Sequence, residues 1–292
     1  MRLSLGEKVL YAVNYSLLLL AGLSCLIPLL HLVALSLSEY DAVASGFVGI
    51  WPVGVNLDSY RSLMDGTPLV KCFQNSVVIT GFGVLFSMLF TILAAYPLSK
   101  PYFYSRKFFT MAIVFTMLFG IQVIPAFLVN RALEIVNTYW SLWLPGLISA
   151  YNLLVLKSFF EQLPEEMSEA AQMDGCNEWR LLWQIVLPLS MPVLATLMLF
   201  YGVGYWNAFQ SVLININDSN KFNLAVLVQN MIANQSLLQS MNNLQPQDIQ
   251  ELLTPQSIRS AGIIIMIVPL LVVYPFLQKY FVKGVLIGAV KG

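Results

Sequence analysis

The sequence is poor in charge, histidine and cysteine, and each shortage removes a class of chemistry. Charged residues make up 10% of the 292 positions and the formal net charge is zero, so no basic surface for nucleic acid is indicated. The single histidine, His31, and the widely spaced Cys25, Cys72 and Cys176 offer neither a zinc spacing nor a disulfide framework. No HExxH, GxSxG or GxxxxGK[ST] pattern occurs, which argues against a metalloprotease, a serine hydrolase and a nucleotide site on this chain.

What the chain has in quantity is apolar surface. Hydrophobic residues reach 58% and the mean hydropathy is +0.73, outside the balance of a soluble domain. The sequence therefore reads as an all-α integral membrane protein. A bilayer core needs about 20 mostly apolar helical residues, and six runs meet that length: about Val9–Leu35, Ser76–Leu98, Phe108–Val129, Tyr139–Val155, Val186–Trp206 and Ala261–Phe281. The first is longer than a signal-peptide core and is expected to be a retained span. Pro145, Gly146 and Asn152 interrupt the fourth, which makes it the least regular of the six. The expected organisation is a single transmembrane domain over residues 1–292, with an extracytoplasmic loop about 207–260 and a cytoplasmic segment about 161–188.

Orientation follows from Lys and Arg, which are enriched at cytoplasmic flanks. With the N-terminus inside, ten of these residues fall on inner segments and five on outer ones, so both termini are expected in the cytoplasm. Asp and Glu are absent from the six runs and His31 is the one clear ionisable case. Proton- and sodium-coupled transporters rely on intramembrane carboxylates or clustered ligands, so that energy source is disfavoured. His31 reads as an interfacial or packing residue.

Two outer segments are sizeable. In the first, about Ser36–Asn75, the run NLDSYRSLM reads as a short helix that Asn56 or Asp58 can cap. The second is rich in Asn and Gln, with apolar residues between them that indicate short packed helices. Its amides suit a hydroxylated ligand or a protein partner, and equally an ordinary solvated loop. Within or beside the spans lie the neutral polar residues Gln122, Asn152, Tyr201, Tyr205, Trp206, Asn207 and Gln210. These would line a path for a sugar, with ring faces on C–H groups and amides on hydroxyls. The alternative is an interfacial aromatic belt with amides bonded between helices.

One polar stretch stands among the apolar runs: EAAQMDGCNEWRLLWQIVLPLSMP, Glu169 to Pro192. Ser168 is placed to cap a helix starting at Glu169, Gly175 to end it in a left-handed turn, and Asn177 to cap the next helix. Ala170 and Ala171 leave room for close contact, while Glu169 and Asp174 offer carboxylates to basic groups. By itself this is the pattern of many capped cytoplasmic helices.

The same stretch resembles the EAA loop of importer-type permeases of the ABC transporter superfamily. Glu169, Ala170, Ala171 and Gly175 match the start of that pattern, and Ile185, Leu187 and Pro188 its end. FLQKYFVKGVLIGAVKG at Phe276–Gly292 and YGVGYWNAF at Tyr201–Phe209 are similar to MalG-type carbohydrate permeases. FVGIWPVGVNLDSYRSL resembles the LplC and YtcP branch, associated with acidic saccharides derived from pectin or alginate.

The resemblance implies a MetI/MalG-like permease fold of six transmembrane helices in the bacterial cytoplasmic (inner) membrane. It implies a second, MalF-like permease, two ATPase subunits that hold ATP and Mg, and an extracytoplasmic solute-binding protein delivering oligosaccharide. This chain would carry no cofactor and no catalytic residue. Glu169, Ala170, Ala171, Asp174 and Gly175 would dock in an ATPase cleft, with Lys291 nearby. The segment Ala233–Leu244, with Asn234, Gln235, Ser236 and Gln239, would reach the binding protein. A permease for a non-sugar solute is the alternative within transport, and a passive channel or membrane scaffold the alternative outside it.

Overall fold

Leucine, isoleucine, valine and phenylalanine in runs of 20 or so can cross a membrane only if every backbone group is bonded within the segment, which dictates helices. The computed structural model describes residues 5–120, 122–173, 175–240 and 255–289, and among them there is no strand. Three helices are long and apolar enough to cross a bilayer unbroken, over Gly6–Leu37, Leu69–Ser99 and Gln256–Phe276. These belong to α1 (Leu5–Leu37), α4 (Leu69–Ser99) and α15 (Pro255–Ala289).

The other three runs are bent pairs, so the expectation of a single interrupted span is corrected. Helices α5 (Arg106–Leu118) and α6 (Val123–Ala132) meet at 117°; α7 (Trp140–Trp143), extended to Gly146, meets α8 (Ala150–Glu161) at 48°. Glu178–Leu189 meets α12 (Met191–Trp206) at 82°. Each break has a local cause. Pro125 in the first turn of α6 has no N–H to continue the ladder from α5, and is tolerated where the first helical N–H groups have no partner anyway. In the last pair, α10 (Glu178–Leu181) passes through a π-turn, Leu182–Val186, into α11 (Leu187–Leu189). Pro188 removes the donor that would bond back to Gln184, and the wider turn absorbs the gap. Ser190 then donates both its N–H and its hydroxyl to the Val186 carbonyl, at 3.0 and 2.7 Å, closing the helix before Pro192.

The chain divides into two compact units, Met1–Leu69 with Val228–Val268, and Val70–Leu227 with Pro269–Gly292. In the first, Ala34, Leu35, Val43 and Val48 form a small core, and the hydroxyl of Ser36 meets that of Tyr60 at 2.9 Å. Helix α2 (Tyr40–Ala44) follows α1, and α3 (Asp58–Gly66) carries the run read as a short helix. Its first N–H, of Asp58, is accepted by Asn56 Oδ1 at 3.3 Å. His31 lies 2.7 Å from the Gly49 carbonyl, a packing role.

The second unit holds the larger core, in which Ile79, Leu153, Leu156, Leu181 and Leu197 are buried together. It also contains α9 (Glu165–Met173) and α13 (Phe209–Asn215). Helix α14, Leu224–Ser240, begins in this unit and continues into the other.

Candidate functional site: a polar cleft and a capped acidic helix

Small residues allow membrane helices to approach closely, and hydroxyls fix their register. Both devices meet at α12. Tyr205 is received by two glycines: a Cβ at Gly83 would come 2.7 Å from its ring, and one at Gly146 would come 2.9 Å from its hydroxyl. The Tyr205 hydroxyl is 2.9 Å from Ser87 Oγ, and that of Tyr201 is 2.7 Å from Thr91 Oγ1 while accepting the Ser149 N–H at 2.9 Å. Ser87 and Thr91 are four apart on α4, Tyr201 and Tyr205 four apart on α12, so the two helices are tied by two antiparallel rungs. These phenols are buried and bonded between helices, the part that the belt reading gave to the amides.

Beside the rungs lies a cleft of about 730 Å³. It is lined by Asn130, Ser149, Asn152, Tyr201, Tyr205, Gln210, Ser211 and Asn215 among apolar residues, and none of its lining residues is charged. Asn130 Nδ2 donates to Asn215 Oδ1 at 2.8 Å, both side chains being buried. Of the seven neutral residues singled out in the sequence, Asn152, Tyr201, Tyr205 and Gln210 line this cleft. Gln122 is exposed at the α5–α6 bend, Trp206 packs edge-on to Phe73 at 5.9 Å, and Asn207 bonds to the Val203 carbonyl at 3.0 Å. Asn215 is one of the amides of the second Asn- and Gln-rich segment, whereas Asn130 was not singled out; its one signal is an Asn inside the apolar stretch VIPAFLVNRA.

Several outer amides serve the fold. Asn137, at φ 65°, accepts the N–H groups of Asn217 and Asp218 on Oδ1, both at 3.1 Å, and its carbonyl accepts Lys221 Nζ at 2.8 Å. Asn75 Nδ2 donates to the carbonyls of Asn220 and Phe222, at 2.8 and 2.9 Å. Asn234, Gln235, Ser236 and Gln239 fall on α14, and residues 241–254 lie outside the described residues.

On the other segment, α9 starts at Glu165, four residues before the expected start. Pro164 fixes the entry and Glu165 and Glu166 favour the first turn of the helix dipole, which leaves Ser168 inside the helix. The Ser168 hydroxyl instead lies 3.5 Å from Lys100 Nζ. The helix ends as expected, at Gly175 with φ 76°. Cys176 N donates to the Ala171 carbonyl at 3.0 Å and Gly175 N to that of Gln172 at 2.9 Å, the two bonds of a Schellman turn. Asn177 Oδ1 accepts the Arg180 N–H at 2.9 Å, capping α10. Ala171 points into the core, while Glu166, Glu169, Ala170 and Met173 are exposed at the spacing of one helix face. Asp174 and Lys291 lie outside the described residues.

A junction that the sequence did not reveal ties this segment to α4. Glu178 accepts from Tyr96 at 2.6 Å, from Tyr102 at 2.9 Å and from Gln172 Nε2 at 3.2 Å. Partial burial, then the bond to Glu178 and the carboxylate's charge, push the Tyr102 phenol up to about 12. The nearby Arg106–Glu161 pair, at 3.0 Å, fastens α5 to α8, and Lys157, one turn before Glu161 on α8, shares its carboxylate at 2.8 Å.

Bent apolar spans around an uncharged polar cleft, with a short exposed helix beneath, define a membrane transport permease. The chain belongs to the family of binding-protein-dependent transport system inner membrane components, which matches residues 76–287. It is 38% identical over 283 residues to the polygalacturonan/rhamnogalacturonan transport system permease YtcP of Bacillus subtilis (strain 168), covering 95% of this chain and 96% of that one. It is 39% identical over 272 residues to the protein LplC of the same organism, covering 93% and 91%. A chain in the crystal structure of a bacterial ABC transporter involved in the import of the acidic polysaccharide alginate superposes with a TM-score of 0.85. That chain is 29% identical, with 96% of this chain and 99% of it covered.

Proposed function

We propose that this chain forms one half of the translocation path of an ATP-driven importer for oligosaccharides, with uronic-acid oligosaccharides of the pectin or alginate type as its cargo. The uncharged cleft carries the reading. Amides of Asn130, Asn152, Gln210 and Asn215 and hydroxyls of Ser149 and Ser211 stand among apolar walls at the density a chain of hydroxyls requires. A flexible saccharide must pass and not lodge, and neutral groups bind it without trapping it. The names of the relatives support the acidic class. Sugar carboxylates would be met here by amide N–H and hydroxyl donors, with the second permease supplying the opposite wall.

Energy enters from elsewhere. The exposed face Glu166, Glu169, Ala170 and Met173, closed by the Gly175 turn, is the surface offered to an ATPase subunit. Two such subunits hold ATP and Mg, and a solute-binding protein delivers cargo on the opposite side. The excess of Lys and Arg on the inner segments supports cytoplasmic termini and insertion in the inner membrane.

The test is ATPase stimulation and uptake in reconstituted vesicles, using binding protein loaded with neutral or uronic-acid oligosaccharides. Stimulation by the acidic set supports the reading. Stimulation by neutral oligosaccharides alone overturns the acidic assignment, and stimulation by a non-sugar solute alone overturns the saccharide assignment.

A further inference from the structure

Between Asp41 and Asp58 the chain carries no charged residue, although it runs outside the spanning helices: AVASGFVGIWPVGVNL. Three ties hold this loop. Val48 is buried with Ala34, Leu35 and Val43. His31 Nδ1, 2.7 Å from the Gly49 carbonyl, holds the tip against α1. The returning segment is bonded by Glu39 N to the Val53 carbonyl at 3.0 Å, Val53 N to Ser38 Oγ at 3.0 Å and Asn56 N to the Leu37 carbonyl at 2.9 Å.

His31 precedes the end of α1 at Leu37 by six residues, so at about 1.5 Å per residue the tip folds back about 9 Å along the first span. It does so beside Leu29, Leu30 and Val33, which are themselves exposed. On either side of the buried Val48, Phe47 is 82% exposed and Trp51 81%. A loop held this firmly presents those rings by construction.

We propose that residues 46–55 are an interfacial anchor that places Phe47 and Trp51 in the boundary between lipid headgroups and acyl chains, alongside the end of the first span. Tryptophan and phenylalanine favour that layer, and the stretch has no charge to oppose entry. The N–H groups of Ser45, Gly46 and Phe47 are bonded to carbonyls of Asp41, Val43 and Ala42, which fixes the entry to the loop, and the headgroup layer hydrates the backbone groups at its tip. The occupant of this surface is lipid, and the proposal holds whichever solute is carried.

Depth measurement in the assembled transporter, reconstituted in nanodiscs of phosphatidylethanolamine and phosphatidylglycerol, tests this. Nitroxides are attached at Phe47→Cys, Trp51→Cys and, as a water-exposed control, Asp58→Cys, with Cys25, Cys72 and Cys176 replaced by alanine. Labels at 47 and 51 should be relaxed at least about threefold more by oxygen than by a nickel chelate, with the order reversed at 58. Relaxation dominated by nickel at 47 and 51 overturns the proposal in favour of water. Exclusion of both reagents with immobilised spectra overturns it in favour of a protein partner. A second measurement keeps the natural cysteines. Brominated lipids should quench a smaller share of the fluorescence of the six tryptophans after Trp51→Phe, and an unchanged share overturns the proposal.

Discussion

Tyr96 donates to Glu178 at 2.6 Å, joining the end of the second span to the first residue of the helix that follows the Gly175 turn. Tyr102 and Gln172 complete the junction on the other carboxylate oxygen. A displacement of α9 therefore has two routes into the membrane. One runs along the chain through Asn177 and the π-turn into the fifth span, and the other crosses through Glu178 into α4.

Glu178→Gln removes the charge that strengthens these bonds. Charge-assisted bonds contribute about 1.5–3 kcal/mol, so ATPase stimulation by loaded binding protein should fall roughly tenfold. The subunits should still copurify. Tyr96→Phe should reproduce the loss, and full stimulation in both variants would show that the second route carries nothing.

The Tyr102 phenol, raised to about 12, is a proton held more tightly in the folded state than in the unfolded one. Its contribution is complete below the ordinary tyrosine value near 10, shrinks as pH rises above that, and is gone past about 12. Difference absorbance between the natural chain and Tyr102→Phe should show no tyrosinate from Tyr102 up to about pH 10.5. Ionisation near pH 10 would contradict the bond to Glu178.

At Gly175 the left-handed φ of 76° admits glycine freely, and an L-residue there costs about 1–2 kcal/mol. Gly175→Val should uncouple hydrolysis from uptake while membrane insertion stays normal. Glu169→Lys, which reverses charge on the exposed face, should do the same without any loss of thermal stability. Wild-type uptake by both variants would remove the coupling role.

Gly83→Leu places its side chain in the Tyr205 ring, and overpacking of this kind costs about 1–3 kcal/mol. The Tm in detergent should drop, and pairing with Tyr205→Ala should restore part of it. An additive loss in the double variant would mean that the two residues do not share a slot.

Tyr201→Phe leaves the Ser149 N–H without its acceptor and breaks the rung to Thr91. Interhelical bonds in membranes contribute about 0.6–2 kcal/mol, so stability should fall by that order. If the phenol serves the fold, the preference among oligosaccharides stays unchanged. A changed preference at unchanged Tm would make it a cargo contact instead.

The sequence is legible wherever the signal is local. Apolar runs of bilayer length give the six spans, and a glycine after an acidic helix gives the Gly175 turn, with Asn177 as the next cap. The start of α9 was misplaced because Ser168 alone was read as an entry signal, while Pro164, followed by two glutamates, sets the start at Glu165. The sharp bend near Gly120 hides in continuous apolar composition, since hydropathy does not register a missing N–H at Pro125, whereas Pro188 and Pro192 mark the bend near Ser190. Contacts such as Tyr96–Glu178 and Asn130–Asn215 join positions some eighty residues apart, and no periodicity links them.

The π-turn at Leu182–Val186 adds one residue to a helical path. Closing it to an α-turn would rotate the positions that follow by about 100° and draw them back by about 1.5 Å. Tyr201 would then no longer face Thr91, nor Tyr205 the slot between Gly83 and Gly146. The phase of the fifth span is thus carried by a single extra position on the approach to it. A relative whose helix is regular there should keep its tyrosines facing the same way only if it is one residue shorter between the coupling turn and the first tyrosine.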